Sequence, residues 1–274
     1  MKEQSEYNRH NLWLYFLIAY AFSWLVWMPS VLVNIGFLDP PSIFILPILD
    51  QLATFGPFVA AVSLTYFYEG KEEVKELLKR GVDYNFGKIW FIPILLLMPA
   101  IYGGALLLSI LTDGIIPDLV LVSAPWLLVG IFFFVLLIGG PLGEEFGWRG
   151  YALDGLQKKY NALVSSIIVG VLWGFWHLPG FTGPGWQFSG LGIWLFVVGI
   201  ILYSILLTWL VNNTNGSILT AILFHTMINF SVILFQIYET NLGGLYAFIA
   251  TLVITMLVVI IWRPNKLVRE KQSS

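Results

Sequence analysis

The sequence predicts an all-α fold, a polytopic membrane helix bundle of about eight transmembrane helices around a central polar cavity. Hydrophobic residues make up 58% of the 274 positions and charged residues 11%, and the mean hydropathy is +0.82. A soluble domain does not need that much apolar surface. The apolar residues also form runs of about 20 residues, the length that crosses a bilayer as a helix. Lysine and arginine, by contrast, gather between the runs.

Eight apolar runs account for most of the chain, so we expect a single integral membrane domain over residues 1–274. The first run is too long for a signal peptide and lacks a small-residue cleavage site, which predicts a retained first span. The chain has no cysteine, which excludes disulfides, thiolate zinc sites and thiol proteases. The runs cover roughly residues 12–35, 43–68, 89–111, 121–153, 160–178, 191–211, 217–237 and 243–262.

The basic residues predict the orientation in the membrane. With eight spans, thirteen of the fourteen Lys and Arg lie on one face, in the two tails and in the second and fourth loops. The positive-inside rule makes that face cytoplasmic, so we expect both termini in the cytoplasm. Segment 69–81 has Glu and Lys about one turn apart, which predicts a solvated amphipathic helix on the same side. The exception is Arg149, which lies within the fourth run.

A short set of polar residues remains inside the apolar runs. An ionisable side chain at mid-helix costs about 2.5 to 3.5 kcal/mol to insert even on the lenient scale, so such residues are candidates for function. Only three histidines occur in the chain, and two of them lie in apolar runs that we expect to be helical. The set consists of Glu144, Glu145, Arg149, His177, His225 and Asn229.

The spacing of these residues separates the two adjacent glutamates. Glu145 and Arg149 are four residues apart, which predicts an ion pair on one helical face and a supporting role. Glu144 is rotated by about 100 degrees from Glu145, without a partner on its own helix, and is the candidate general base. His225 and Asn229 are also four apart and would point together into one cavity.

The depths of these residues are only partly compatible. At a rise of 1.5 Å per residue, Glu144 lies about 21 Å above the basic boundary formed by Lys158 and Lys159, and His177 lies about 27 Å above this boundary. His225 comes out about 12 Å above its nearest polar turn, so it needs a tilted helix or a turn that dips into the bilayer.

Several chemistries suit this set of residues. A water activated by a carboxylate and a histidine, with a second histidine and an amide stabilising an oxyanion, forms a hydrolase. The set Glu144, His177 and His225 would equally suit Zn²⁺ with an open position for water. A structural ion pair, interhelical hydrogen bonds or a proton relay remain open for the same residues.

Other intramembrane hydrolases fit the sequence poorly. The metalloprotease helix signature HExxH is absent. Ser189 lacks a local motif for a serine nucleophile, and no pair of span aspartates stands in the context of an aspartyl protease. A transporter would be expected to show broken helices in related halves, and the sequence shows no such repeat.

Three ordered segments, "EEFGWRG", "WGFWHLP" and "FHTMIN", resemble the motifs of the CPBP family. That family contains the type II CAAX prenyl endopeptidases and the bacterial Abi and bacteriocin self-immunity proteins. The motifs span residues 144–229, within a core of the resembled family at about residues 121–237. The resemblance implies an intramembrane endopeptidase that cleaves a membrane-associated or prenylated protein or peptide. A non-catalytic immunity protein and a proton-coupled transporter are the alternatives.

The resemblance also implies a role for each motif residue. Glu144 corresponds to the water-activating glutamate assisted by His177, His225 and Asn229 to the oxyanion pair, and Glu145 with Arg149 to the supporting pair. The chain departs from the usual motifs in two tryptophans at positions where phenylalanine is common, which predicts changed packing or substrate fit. The expected cavity residues are Trp148, Trp173 and Trp176.

The expected partners follow from the same resemblance. We expect a peptide or protein substrate, with or without a lipid anchor, together with membrane lipid, and no nucleic acid. A metal-free mechanism is favoured because one acid of the first motif is committed to Arg149, and Zn²⁺ is the alternative cofactor.

Overall fold

A computed structural model describes residues 11–39, 45–183 and 191–269. The regular secondary structure in these ranges is helical, which confirms the predicted fold class. Seven helices are long and apolar enough to cross a membrane, or eight if one bent pair counts as a single span. The chain is therefore a multi-pass membrane protein. The predicted cytoplasmic N-terminal tail and Ser189 lie outside the described residues.

The helices follow one another in chain order with few long connections. Short 3₁₀ turns occur at Lys88–Trp90, Leu178–Thr182 and Ile237–Glu239, and one π-helical segment at Trp148–Leu153. The α-helices are α1 Leu12–Asn34, α2 Ile45–Ala53, α3 Gly56–Glu69, α4 Lys71–Arg80, α5 Phe91–Asp113, α6 Val120–Ser123, α7 Leu127–Leu137, α8 Pro141–Gly147, α9 Asp154–Gln157, α10 Ala162–Trp176, α11 Leu191–Asn213, α12 Ile218–Phe235 and α13 Gly243–Trp262.

The second apolar run, predicted as one span over 43–68, is bent. Helices α2 and α3 meet at an angle of 46°. Pro57 lies in the first turn of α3, where its missing N–H costs no helical hydrogen bond, so it favours a new helix start. Gly56 contacts α1 so closely that an added Cβ would lie 2.6 Å from the carbonyl oxygen of Ala19. The bend therefore has both a local and a packing cause.

The fourth run, predicted over 121–153, is interrupted before the two glutamates. Helix α7 ends at Leu137, and α8 begins at Pro141 after Gly140, whose φ of +108° belongs to glycine. After α8 the backbone passes into the π-helical segment that carries Arg149. Interruptions of this kind recur at functional sites, and here they surround the predicted site.

The amphipathic helix predicted between residues 69 and 81 is present as α4. Its outer face carries the exposed ion pair of Lys79 with Glu76 at 2.6 Å, and Leu77 is buried on the other face. Arg80 at its end binds Asp154 at 2.6 Å and donates to the carbonyl of Gly216 at 2.9 Å. Helix α4 is therefore bonded to the start of α9 and to the turn that precedes α12.

The basic segments gather at one end of the bundle. The amide of Ala162 donates to the carbonyl of Asn265 at 2.9 Å, which joins the start of α10 to the C-terminal tail. The side chain of Asn212, at the end of α11, donates to the carbonyl of Lys266 at 2.8 Å. The loop with Lys158 directly precedes α10, so the basic residues of the fourth loop and of the tail share one face, as the charge pattern predicts.

Candidate active site

The centre of the site is a buried carboxylate that binds an arginine and a histidine. Glu145 Oε1 accepts from Arg149 Nη1 at 3.0 Å and from His225 Nδ1 at 2.7 Å. Glu145 and Arg149 are 0% exposed and His225 is 4% exposed. The ion pair four residues apart is present as its spacing predicts, and His225 joins it from α12. His225 therefore lies level with the glutamates, which the depth estimate did not anticipate.

The second glutamate has a different environment. Glu144 Oε2 accepts a hydrogen bond of 2.6 Å from the indole Nε1 of Trp173 on α10. Its Oε1 faces the backbone of Gly140, where an added Cβ would lie 2.5 Å away. Glu144 keeps 4% of its surface exposed, whereas Glu145 keeps none. Glu145 therefore binds Arg149 and His225 through one oxygen. Glu144 has one oxygen bonded to Trp173 and its other oxygen beside Gly140.

His177 lies at the C-terminal end of α10, where it caps the helix. The sequence placed it within an apolar helix, but α10 ends at Trp176 because Pro179 follows closely. His177 Nδ1 donates to the carbonyl oxygen of Trp173 at 2.7 Å. Since a carbonyl can only accept, Nδ1 carries a proton in this bond.

Asn229 follows His225 by about one turn on α12. Its side-chain Nδ2 lies 3.5 Å from the carbonyl oxygen of Gly139, at the break between α7 and α8. Asn229 is half-buried, whereas His225 is buried. The segment between α7 and α8, which directly precedes the two glutamates, therefore contacts the side chain of Asn229 on α12.

The three tryptophans predicted as cavity residues are almost fully buried. Trp148 and Trp176 contact one another edge to face, with ring centroids 5.9 Å apart. Trp173 contacts residues of the first and third motifs: the Arg149 guanidinium lies 4.5 Å above its ring, and the His225 ring lies 5.0 Å away. The sequence pointed to Trp173 as a cavity residue and as a departure from a motif, and it gave no sign of the bond to Glu144.

Glycine allows the site helix to approach its neighbours. A Cβ on Gly147 would lie 2.5 Å from both the hydroxyl of Tyr15 on α1 and the carbonyl oxygen of Pro57 on α3. A Cβ on Gly143 would lie 2.9 Å from the carbonyl of Thr54. Tyr15 was not among the predicted site residues, because an aromatic residue in the first apolar run carries no distinguishing signal.

The alternative of a zinc ion can be tested against the donor set. Zinc needs about three protein ligands that converge on one point. Among the described residues, no three His, Asp or Glu side chains are grouped in a way that could hold a metal ion. His225 and Glu145 bind each other, and Glu144 binds an indole that cannot ligate a metal. The arrangement does not fit a zinc site, and we derive no step through one.

Fold and site together define a polytopic helical membrane protein with a buried carboxylate, histidine and arginine cluster held by three helices. The chain belongs to the Rce1-like type II CAAX prenyl endopeptidase family, a family of membrane peptidases, as the CPBP resemblance predicted. The family profile matches residues 125–231, a range that includes all three motifs.

Two curated relatives extend the match beyond the motifs. CAAX prenyl protease 2 of Methanococcus maripaludis is 30% identical over 231 residues, which cover 81% of this chain and 83% of the relative. Lysostaphin resistance protein A of Staphylococcus haemolyticus is 24% identical over 217 residues, which cover 77% of this chain and 56% of the relative. The similarity therefore includes helices that precede the site.

Proposed function

We propose that this chain is an intramembrane endopeptidase in which Glu144 activates the attacking water. The observation that carries the proposal is the unequal environment of the two glutamates. Glu145 is committed to Arg149 and His225 through one oxygen, whereas Glu144 has one oxygen bonded to Trp173 and the other beside Gly140. Two carboxylates with separate environments commonly divide into a base and a charge-compensating group.

In the first step, Glu144 Oε1 takes a proton from water as the water oxygen attacks the scissile carbonyl carbon. His177 assists this step by orienting the water, and the bond of its Nδ1 to the carbonyl oxygen of Trp173 fixes the position of its ring. The protonated Glu144 then gives its proton to the leaving nitrogen as the peptide bond breaks. The products are a carboxylic acid and an amine.

The developing oxyanion is assigned to the two polar groups on α12. The charged form of His225 has protons on both ring nitrogens, so that Nδ1 donates to Glu145 while Nε2 donates to the oxyanion. Asn229 supplies an amide donor one turn away. Glu145 and Arg149 have a supporting role, because they orient the imidazole and compensate its charge within an apolar bundle.

The proposed substrate is a peptide, or the C-terminal tail of a membrane-associated protein, that reaches the site from the membrane. A prenylated tail is one candidate, since a relative that matches most of this chain is named a CAAX prenyl protease. The shared basic end of the bundle supports cytoplasmic termini. A C-terminal fluorescent reporter that folds only in the cytoplasm should be bright, whereas a reporter that folds only outside should be inactive.

The decisive experiment is peptide cleavage by the purified protein and by its Glu144→Ala variant. A fluorogenic screen of prenylated and unprenylated peptides should find a substrate that the parental protein cleaves and the variant does not. Glu76→Ala is the matched control, because Glu76 lies on the exposed face of α4 and its loss should leave the rate unchanged. A Glu144→Ala protein that cleaves at the parental rate would refute the proposal.

Metal dependence is tested with the same assay. Glu144-activated water without a metal predicts unchanged cleavage after treatment with a strong zinc chelator. It also predicts less than one equivalent of bound transition metal in the active protein. Loss of activity on chelation that Zn²⁺ restores would establish a metallopeptidase instead.

A binding-only membrane protein is the second candidate, and the similarity to a lysostaphin resistance protein favours it over a transporter. Protection of cells by binding does not need a general base. Expression of Glu144→Gln in a sensitive host separates the two: protection without cleavage supports binding, whereas loss of both supports the peptidase.

A further inference from the structure

The bond between Trp173 and Glu144 joins two helices at the proposed catalytic carboxylate. Trp173 is 1% exposed and lies on α10, and Glu144 is 4% exposed and lies on α8. The indole N–H is a donor without acceptor capacity, so it always presents a proton to the carboxylate. A donor bound to an ionised acceptor makes a short and strong hydrogen bond, and the distance here is 2.6 Å.

The remaining contacts of Trp173 hold its ring in place. The guanidinium of Arg149 lies 4.5 Å above the ring, and His225 contacts the ring edge to face at 5.0 Å. The backbone carbonyl of Trp173 accepts from His177 Nδ1 at 2.7 Å. Trp173 thus contacts a member of each of the three motifs, and a rigid indole can fix the position of what it binds.

The second oxygen of Glu144 has room that the backbone provides. Gly140 adopts a φ of +108°, and a Cβ there would lie 2.5 Å from Oε1. Any side chain at this position would therefore press against Oε1. The two neighbours act on different oxygens, since Trp173 binds Oε2 and Gly140 leaves space at Oε1.

We propose that Trp173 is a positioning residue whose indole N–H holds Oε2 of Glu144, so that Oε1 is the oxygen that receives the proton of the attacking water. This inference rests on the proposed peptidase function. Phenylalanine, the residue common at this position in the resembled motif, would keep the ring contacts with Arg149 and His225 but has no N–H. In this chain the tryptophan adds a bond that the motif itself does not require.

Trp173→Phe is the first test, because it removes the N–H and keeps an aromatic ring. The variant should lower kcat about 10-fold to 100-fold, the range for a hydrogen bond to a charged group, and change KM less than about twofold. Trp209→Phe is the matched control, because Trp209 is also buried, at 5% exposed, and also packs against aromatic rings, those of Trp90 and Trp262. Its Nε1 has no hydrogen-bond partner among the described residues, so the change to phenylalanine removes no such bond. This control should keep the parental kcat.

A second measurement detects the bond without using activity. In protein labelled with ¹⁵N at tryptophan, the indole cross-peak that disappears in Trp173→Phe belongs to Trp173. Glu144→Gln keeps the shape of the side chain but removes its charge, so this cross-peak should move upfield in its proton dimension. The other indole cross-peaks should move little, which also shows that the variant is folded.

The outcomes separate the positioning role from the proposed function. Lower kcat in Trp173→Phe with unchanged KM, together with the shifted cross-peak in Glu144→Gln, supports the role. Parental kcat in Trp173→Phe, or an unmoved cross-peak, overturns it even when Glu144→Gln is inactive and the peptidase function stands. Parental cleavage by Glu144→Gln overturns the proposed function as well.

Discussion

Replacing Glu145 with glutamine should destabilise the protein strongly, because it leaves a buried arginine without its charge partner. Arg149 is 0% exposed, and its Nε and Nη2 have no hydrogen-bond partner among the described residues. Its ion pair therefore runs through Nη1 to Glu145 at 3.0 Å. Breaking a buried pair by removing one partner costs about 3 to 5 kcal/mol of unfolding free energy.

The expected change in melting temperature follows from the chain length. Unfolding entropy is about 2.1 cal/mol/K per residue, or about 0.6 kcal/mol/K for this chain. A loss of about 3 to 5 kcal/mol then lowers the melting temperature by about 5 to 9 °C. Intrinsic tryptophan fluorescence in detergent, recorded at one scan rate for all variants, measures this shift.

The exposed pair on α4 is the control for Glu145→Gln. Lys79 and Glu76 also pair within one helix, at 2.6 Å, but both side chains are more than half exposed. Glu76→Gln should therefore change the unfolding free energy by less than about 1 kcal/mol. The double variant Glu145→Gln/Arg149→Met should recover much of the lost stability, because it removes the unpaired charge. If Glu145→Gln melts within about 1 °C of the parental protein, the buried pair does not stabilise the fold as reasoned.

Three further predictions concern the packing and chemistry of the site. Gly147→Ala should lose about 1 to 3 kcal/mol of unfolding free energy and most activity, because the added Cβ would clash with the backbone. Gly104→Ala in α5 is its control: nothing lies within 4 Å of the added Cβ, so this variant should melt at or above the parental temperature. Arg80→Ala should lower the melting temperature by about 1 to 4 °C, because it removes the partly exposed bond to Asp154 and the bond to the carbonyl of Gly216. An unchanged melting temperature would contradict a structural role for these bonds. Asn229→Ala should lower kcat about 100-fold to 1,000-fold with little change in KM if it stabilises the oxyanion, whereas an equal rise in KM alone would indicate substrate binding instead.

Much of the fold follows from local patterns. The apolar runs have the length of spans, and seven of them correspond to helical stretches that are long and apolar enough to cross a membrane. Helix α4 was predicted from its charge spacing, and the Glu145–Arg149 pair from a separation of four residues. Each of these features depends on residues within about one helical turn of one another, where backbone geometry fixes the distance.

The interruptions of the spans could be predicted only in part. Pro57 and the glycines near residue 140 mark positions where a helix can end, but a glycine or proline within an apolar run does not fix whether the helix bends or breaks. The contacts of neighbouring helices determine this. Gly56 approaches α1, and Gly140 adopts a left-handed φ beside Glu144.

The sequence by itself determined the class of protein and the candidate residues of the proposed site, because composition and short-range spacing are properties of the chain. Tertiary structure decided which residues pair. The sequence left Glu144 without a partner on its own helix and placed His225 at a lower depth. In the structure, Trp173 donates to Glu144, and His225 binds Glu145. These bonds join residues 29 and 80 positions apart, and such distances depend on helix tilt and crossing rather than on local periodicity.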